Sequence, residues 1–537
     1  MNGYPGRVRL GSRVKPTPES LLASGAAFVG LIGVVSSLTP ELANRSDLVQ
    51  GVLPPGVPTA ARVGALAFGI MLVWLSRSLG RRRRRAWQLA VALVVASAGA
   101  HLAKGLDVEE AAVSLLLLVA LVRYRRRFDV PGDPATVRPL LALGAALAAA
   151  GTAAIAIKLR GAQLPDRATD LLAAVGLLLG FAAMYLWLRP LSLAVAQTIG
   201  ERRAVRALVD AYGRDSLSFF ALRRDKSYLF SPSGRAVLAY RVVAGSALVS
   251  GDPIGDEREL DALLVEMAHI ARVHGWRLAV LGASAEHLDR YRRHGLRPIP
   301  LGEEAVLRPA TFSLEGRAIR KVRQSVSRLT KAGFRLRVIA AEEADDRQRA
   351  MLDDVSRQWR GNQPERGFSM SIDDLYAPGT LLAVAEHEDG GIGGFLHLAP
   401  TPAGGGWSLS TMRRRPGSPN GLTEFLIAET LAWAKEHRAT EVSLNFCVFT
   451  DLLSPERAVG RPRRLARRVL LAADGIFQLE RLYAFNRKFF PEWRPRYVCV
   501  ERLSDLPLVG FAYLCAESLV IPPGPWVRER RITRASV

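Results

Sequence analysis

The sequence predicts two fold classes in one chain: a multi-span α-helical membrane domain of six helices, followed by an α+β cytosolic domain made of two similar halves. Two observations carry this prediction. Apolar runs of helical length recur before residue 190. After about residue 200 the composition becomes globular, and one order of strands, helix and strand occurs twice. A length of 537 residues also suits more than one domain.

The composition indicates which partners to expect. The formal net charge is +23, and 49% of the residues are hydrophobic. This combination is typical of a membrane protein with basic cytoplasmic parts, and it favours anionic partners such as acidic lipid headgroups or tRNA. Cys447, Cys499 and Cys515 lie far apart without CxxC spacing, so we expect buried free thiols rather than disulfides or a zinc site.

Six apolar stretches are predicted to be the membrane helices. About 20 apolar residues span a bilayer, and backbone groups inside it must bond within a helix. The stretches are Ser20–Thr39, Ala60–Leu75, Trp87–Leu102, Ala111–Val122, Pro139–Ile157 and Leu171–Leu188. The fourth is short, and it spans only if it includes Leu106–Glu110 or tilts little.

The loops between these stretches predict the orientation. Arginine-rich segments, such as RRRRR at Arg81–Arg85, alternate with loops that carry acids such as Glu41 and Asp107. Because basic loops stay on the cytoplasmic side, we expect a multi-pass protein with both termini in the cytoplasm. The arginine run is expected to anchor this topology and to meet anionic lipid.

The repeat in the second half of the chain predicts the α+β domain. Each copy has short strands, then an amphipathic helix (one contains Leu260 and Leu264, the other Leu422 and Phe425), then another strand. This order resembles the acyltransferase fold of the GNAT superfamily of N-acetyltransferases. We expect a membrane domain at 1–200, a first half at 201–312, a basic linker helix at 313–335, a second half at 336–525 and a basic tail at 526–537.

Two basic segments have open interpretations. Arg317–Arg337 holds eight basic residues and no acid, and its apolar residues fall on one helical face. Arg457–Arg468 holds six arginines. Each is either a solvated surface or a contact for anionic lipid or the tRNA backbone.

Five motifs carry a resemblance to a known family. They are SGDPIGD from Ser250, RQWRGNQPERGFSM from Arg357, MRRRPGSPNGLTEFLI from Met412, VSLNFCVF from Val442 and LERLYAFNRKFFPEWRPRY from Leu479. As an ordered set they resemble the lysyl-phosphatidylglycerol synthases, also called phosphatidylglycerol lysyltransferases or the multiple peptide resistance factor family. The likeness is strongest to the actinobacterial branch, and we expect a type without that branch's fused lysyl-tRNA synthetase.

The resemblance implies a function. An aminoacyl group, lysyl in the family, moves from aminoacyl-tRNA to phosphatidylglycerol in the bacterial cell membrane, which lowers surface negative charge and gives resistance to cationic peptides. Apart from aminoacyl-tRNA as co-substrate, no cofactor and no metal is expected. Two alternatives stay open: an acyl-CoA-dependent lipid acyltransferase, and a lipid flippase or scaffold with a degenerate transferase domain. A homo-oligomer is also left open.

The motifs supply candidate site residues, because ester transfer needs oxyanion donors, a positioned hydroxyl and carboxylates for an ammonium group. The catalytic candidates are Lys488, Arg413 and Asn445. The substrate-binding candidates are Asp252, Trp359, Glu365, Arg366, Glu424, Arg481, Tyr483, Asn486 and Arg496. For each, a structural role in a turn, a core or a solvated basic face remains open.

Ser410 departs from the family pattern. Close relatives often carry an aspartate two residues before the Met-Arg pair, where this chain has serine. If that aspartate binds the ammonium of the amino acid, this chain uses another amino acid, such as alanine, or another donor.

Overall fold

The computed structural model describes residues 17–38, 57–105, 108–133, 136–159, 175, 179–180, 182–188, 197–361, 368, 370–448 and 479–520. The chain divides into two compact units. One is helical and reaches to Leu191, with the short stretch Arg272–Trp276; the other contains Ser192–Ala271 and Arg277–Pro525.

Five long helices form the described part of the helical unit. They are α1 Pro18–Leu38, α2 Val57–Leu79, α3 Arg84–Gly105, α4 Val108–Arg123 and α5 Val137–Leu159. Glycine lets α1 and α2 approach closely, since a Cβ atom on Gly30 would lie 2.6 Å from the carbonyl oxygen of Gly69. Such small residues allow apolar helices to pack backbone to backbone.

The predicted membrane spans are matched only in part. Five of the six stretches coincide with α1 to α5, and the sixth, Leu171–Leu188, lies partly outside the described residues. Within the described part of the chain, one helix, Pro18–Leu38, is long and apolar enough to cross a membrane. The six-span membrane domain therefore stays a prediction.

One mixed sheet dominates the α/β unit. Its strands are β1 Ser227–Phe230, β2 Ala236–Val243, β3 Ser246–Ser250, β4 Ile254–Gly255, β5 Arg277–Ser284, β6 Arg297–Leu307, β7 Phe334–Ala340, β8 Leu381–His387, β9 Ile392–Thr401, β10 Gly406–Arg414, β11 Val442–Val448 and β12 Glu492–Val500. The described strands follow the order β1-β2-β3-β5-β12-β6-β11-β10-β9-β8-β7, with β4 paired to β2.

Eight helices accompany this sheet in the described residues. They are α6 Ile199–Tyr212, α7 Leu260–His274, α8 Leu288–Arg293, α9 Arg320–Lys331, α10 Asp346–Arg360, α11 Leu422–Glu436, α12 Leu479–Asn486 and α13 Leu506–Ala516. The repeat predicted from the sequence is confirmed. In each copy a crossover helix joins two parallel neighbours, β3 to β5 through α7 and β10 to β11 through α11.

The two copies share strands in a way that the repeat did not predict. The C-terminal strand β12 belongs to the second copy, yet it lies between β5 and β6 of the first. The last strand of the first copy, β6, pairs with β11 of the second. These exchanges make the two halves one continuous sheet, so the residues of the last motif are placed beside first-half strands.

The basic linker is shorter than predicted. Its helix α9 ends at Lys331, and Gly333 turns the chain with a φ of +84°, a conformation that glycine adopts without strain. Residues from Phe334 onward form β7, because Phe334 packs into the core with Leu329 of the preceding helix. All three cysteines are buried and free, as predicted.

Candidate functional site

Four arginine side chains surround a cavity of about 540 Å³, which we call the arginine cavity. Helix α10, the segment 371–376 and strands β9 and β10 form most of its wall. Its charged lining residues are Arg224, Arg357, Arg360, Arg413, Asp353, Asp373 and Asp374; its uncharged polar ones are Ser356, Tyr376, His397 and Thr411. The cavity therefore contains one predicted catalytic residue, Arg413.

The aspartates of the arginine cavity are already engaged. Asp374 pairs with the Arg224 guanidinium at 2.9 Å, and Asp373 accepts the Arg224 backbone N–H at 3.2 Å. Asp353 accepts the Tyr376 hydroxyl at 2.9 Å. The lining contains four guanidinium groups and three carboxylates, so it favours an anionic group.

Two uncharged polar side chains on neighbouring strands lie at the floor of the arginine cavity. His397 on β9 pairs in register with Thr411 on β10, next to a bulge after Leu409. His397 is 0% exposed, and among the described residues both of its ring nitrogens and the Thr411 hydroxyl have no hydrogen-bond partner. A buried unsatisfied polar group costs about 1–3 kcal/mol. Burial and the nearby Arg413 lower the pKa of His397 to about 3, so its imidazole is neutral.

Asn445 and Ser410 hold the segment that closes the cavity. The Asn445 side-chain N–H₂ donates to the carbonyls of Met370 and Leu409 at 2.8 and 2.9 Å. Ser410 accepts the backbone N–H of Ile372 at 2.9 Å. Both N–H donors of the Asn445 amide bond within the protein, so this side chain fixes Met370 next to β10. The catalytic role predicted for Asn445 stays a prediction.

A second cavity, of about 620 Å³, is lined almost entirely by apolar side chains, and we call it the apolar cavity. Strands β5, β6, β11 and β12 form one side, while Leu506, Val509 and Tyr513 of α13 form the other. Glu517 stands at its edge and accepts the backbone N–H of Phe368 at 2.9 Å. A cavity of this composition suits hydrocarbon.

The arginine cavity and the apolar cavity lie on either side of one short segment. Met370 lines the apolar cavity and Ile372 lines the arginine cavity. Two residues of extended chain span roughly 7 Å. The α/β unit thus presents an apolar and a cationic compartment within the length of one amphiphilic molecule.

A third cavity, of about 590 Å³, is lined by four acidic and three arginine side chains, and we call it the acidic cavity. Its acidic lining residues are Asp215, Asp252, Glu257 and Glu286. Asp252, a predicted substrate-binding residue, accepts the Ser284 backbone N–H at 3.1 Å and the Tyr291 hydroxyl at 2.7 Å. Here the predicted residue joins the loop after β3 to the end of β5.

Arg496, also a predicted substrate-binding residue, forms a wall of the acidic cavity. It is 3% exposed, and it donates to Glu304 at 3.0 Å, to Asp215 at 2.7 Å and to Ser216 at 3.0 Å. Burial opposes its charge, but the attraction of Asp215 and Glu304 outweighs this effect and raises its pKa. Burial likewise opposes the Glu304 carboxylate, yet Arg496 lowers the pKa of that group. The network is internally satisfied.

Two predicted site residues pair with each other. The ammonium of Lys488 lies 2.8 Å from the carboxylate of Glu424, in the first turn of α11, and the Lys488 side chain is 42% exposed. Helix N-termini commonly bind phosphate groups. The acid at this position in the present chain disfavours such a ligand.

The remaining candidates are spread over the C-terminal motif and α10. Tyr483 packs against Trp493 with ring centroids 5.1 Å apart, and Asn486 is buried with its amide nitrogen 3.5 Å from the Cys447 sulfur. Arg481 and Trp359 are exposed. Within the described residues none of these four lines the arginine cavity. Glu365, Arg366 and the run Arg457–Arg468 lie outside the described residues.

His397 and Thr411, at the floor of the arginine cavity, were not among the residues predicted from the sequence. His397 lies in the apolar run GGFLHLAP and Thr411 in SLSTMR. A lone histidine in a buried strand looks the same whether or not it has a partner. Only the alternation of β10, which places Thr411 and Arg413 on one face, offered a signal.

The α/β unit contains two halves, and in each a crossover helix joins two parallel strands. The family model described as phosphatidylglycerol lysyltransferase, C-terminal, matches residues 206–500. The chain therefore belongs to the lysylphosphatidylglycerol synthase family, as its motifs predicted.

Curated relatives agree with this assignment. The lysylphosphatidylglycerol biosynthesis bifunctional protein LysX of Rhodococcus jostii is 40% identical over 334 residues, which is 61% of this chain and 30% of that protein. LysX of Mycobacterium avium is 40% identical over 336 residues, which is 61% of this chain and 28% of that protein. The match thus covers less than a third of the length of these relatives.

Solved structures show the same fold. L-PGS from Bacillus licheniformis matches with a TM-score of 0.53 and 24% identity, covering 59% of this chain and 96% of that one. The C-terminal domain of a candidate lysylphosphatidylglycerol synthetase from Agrobacterium fabrum matches with a TM-score of 0.52 and 24% identity, covering 60% and 97%.

Proposed function

We propose that the chain transfers an aminoacyl group from aminoacyl-tRNA to phosphatidylglycerol, with lysyl as the first candidate. The product carries an added ammonium group, so it lowers the negative charge of the membrane surface and gives resistance to cationic peptides. We place the reaction at the cytoplasmic face of the bacterial cell membrane, with the protein inserted as a multi-pass protein.

The observation that carries this proposal is the pair of cavities on the segment from Met370 to Ile372. Phosphatidylglycerol is an anionic amphiphile, with acyl chains next to a phosphodiester and a glycerol group. The apolar cavity suits the chains, and the guanidinium of Arg413 suits the phosphate. A water-soluble acceptor would leave the apolar cavity without use.

The reaction exchanges one ester for another. A glycerol hydroxyl oxygen forms a bond to the aminoacyl carbonyl carbon, the bond from that carbon to the ribose oxygen breaks, and the hydroxyl proton ends on the released ribose. Ester energies are similar on both sides, so positioning and charge stabilisation are the main tasks of the protein. The reaction needs no other cofactor.

The basic helix α9 is the proposed contact for tRNA. Val322 and Leu329 bury its apolar face, while Arg320, Lys321 and Lys331 are exposed. Phosphate contacts of this kind depend strongly on salt. Charge reversal at Arg320 and Lys321 is expected to raise KM for aminoacyl-tRNA, whereas reversal at the exposed Arg335 on β7 serves as the control.

The test is a transfer assay with the purified chain. Phosphatidylglycerol vesicles and radiolabelled lysyl-tRNA are incubated with the protein, and label in the lipid extract is counted, with and without RNase treatment of the donor. RNase-sensitive labelling supports the proposal. Labelling that requires coenzyme A instead of tRNA contradicts it, and alanyl-tRNA tested in parallel reports whether Ser410 accompanies another amino acid.

A further inference from the structure

The floor of the arginine cavity contains hydrogen-bonding groups that the protein leaves unused. His397 is completely buried, and neither of its ring nitrogens has a partner in the part of the chain that the structure describes. The same holds for the Thr411 hydroxyl beside it. Buried polar groups in folded proteins nearly always have partners, so groups without a protein partner at a cavity wall are candidates for binding a ligand.

The chemistry of the floor selects the kind of ligand. A neutral imidazole has one donor and one acceptor, and a hydroxyl also donates and accepts. Their ligand must therefore accept as well as donate. An ammonium group only donates, and Arg413, close enough to lower the pKa of His397, would repel it. Hydroxyl groups next to an anionic charge meet every requirement.

The spacing of the floor suits neighbouring hydroxyls. His397 and Thr411 are directly opposite on antiparallel strands, where side chains start about 5 Å apart. Arg413 follows two residues after Thr411 on the same strand and lines the same cavity. A phosphate near Arg413 would thus carry a short polyol chain over the two floor residues.

We propose that His397 and Thr411 bind the hydroxyl groups of a phosphoglycerol headgroup whose phosphate lies at Arg413. This rests on the proposed function, and it makes the arginine cavity the acceptor subsite rather than the site of the amino acid. The acyl chains of the same lipid extend past Ile372 and Met370 into the apolar cavity. His397 is a binding residue here, because so weak a base does not take up the hydroxyl proton.

The test measures binding without catalysis. Glycerophosphoglycerol, the water-soluble headgroup, is titrated against the full chain in detergent micelles by ligand-observed NMR, with lysine amide as a second probe. His397→Phe and Thr411→Val should each weaken glycerophosphoglycerol binding at least tenfold and leave lysine amide unchanged. Thr401→Val is the matched control, because Thr401 is a buried, unpartnered threonine at the end of β9 that does not line this cavity.

A purely structural role makes the opposite prediction. Replacing an unpartnered buried polar group by an apolar one of similar shape keeps or raises Tm, so weakened binding with unchanged or higher Tm supports the subsite. Unchanged headgroup binding in the near-isosteric Thr411→Val variant overturns it, as does a dependence of lysine amide binding on His397.

The assay also separates the two proposals. If the chain transfers no aminoacyl group but the headgroup still binds through His397 and Thr411, the proposed function fails and the subsite stands. If transfer occurs and both variants keep the wild-type KM for phosphatidylglycerol, the subsite fails and the proposed function stands.

Discussion

The acidic cavity and the arginine cavity differ in how they use their buried polar groups. In the acidic cavity Arg496 bonds to Glu304, Asp215 and Ser216, so every strong donor of its guanidinium faces a partner inside the protein. In the arginine cavity the ring nitrogens of His397 and the hydroxyl oxygen of Thr411 are also buried, but they have no hydrogen-bond partner among the described residues.

This difference separates a structural network from a binding surface. A satisfied network contributes to folding and resists change, because removing one member leaves the others buried and unpaired. An unsatisfied buried polar group lowers stability, and a ligand that supplies its hydrogen bonds removes that cost. Both cavities are lined by several charged side chains, so the number of charges does not separate a structural network from a binding surface.

The sharpest contrast is expected from Arg496→Met. It leaves the buried Glu304 without its cation, and breaking such a pair costs about 3–5 kcal/mol of unfolding free energy. Chemical denaturation of the purified protein measures this loss. Arg494→Met is the control, since Arg494 is more exposed and pairs with Glu441 and Glu492; an equal loss in both variants would contradict a buried structural role for Arg496.

In contrast to Arg496→Met, Arg413→Ala should have a large effect on activity and a small effect on stability. Charge-assisted bonds to an anionic group contribute about 1.5–3 kcal/mol, so kcat/KM should fall roughly 10- to 150-fold. The radiolabel transfer assay measures it. Arg414→Ala, the next residue on β10, points to the other face and should retain activity; equal losses would remove Arg413 from the site.

Lowering the pH should reduce the stability of the wild-type protein, because His397 at the floor of the arginine cavity is buried in its neutral form. The pKa of His397 is about 3 in the folded state and about 6.5 when unfolded, so below pH 6.5 the unfolded chain binds a proton that the native state refuses. The free energy of unfolding therefore decreases as the pH is lowered below about 6.5. The His397→Phe variant should gain about 2 kcal/mol relative to wild type between pH 7 and pH 5.

Urea unfolding at the two pH values measures this gain. Thr411→Val removes a floor group that does not titrate, so its difference from wild type should stay constant over the same range. A constant difference for His397→Phe as well would show that the histidine is not held neutral by burial.

The smallest effect is expected at the exposed Lys488–Glu424 pair. A double-mutant cycle with Lys488→Met and Glu424→Gln should give a coupling energy in stability below about 1 kcal/mol, because solvent screens the pair. If Lys488 also binds substrate phosphate, as its motif predicts, Lys488→Met will lose far more activity than stability. If Lys488→Met causes equally small losses of activity and of stability, Lys488 and Glu424 form only a surface ion pair.

Much of the α/β fold was predictable from local patterns. The apolar face of α7, with Leu260 and Leu264, and that of α11, with Leu422 and Phe425, marked the two crossover helices. The exchange of β12 into the first half was not predictable, because the alternation of a strand indicates its faces and not its neighbours. The end of α9 was misplaced because the basic residues continue through Gly333 into β7.

The site was predictable only where charge carried the signal. Arg413, which lines the arginine cavity, was a candidate because it follows a strand and precedes a helix in a motif of the family. Arg496 was found by the same reasoning, but the sequence could not show that Glu304, a strand away in space and 192 positions away in the chain, uses its donors. The absence of partners around His397 is a property of the packed structure alone.

The most direct measurement is lipid mass spectrometry of a bacterial host that makes no aminoacyl-lipids, with and without this chain. We predict a new phosphatidylglycerol species, heavier by one amino-acid residue, that is lost with Arg413→Ala and retained with Arg414→Ala. An unchanged lipid profile with membrane-inserted wild-type protein, when charged tRNA and phosphatidylglycerol are present, would contradict it.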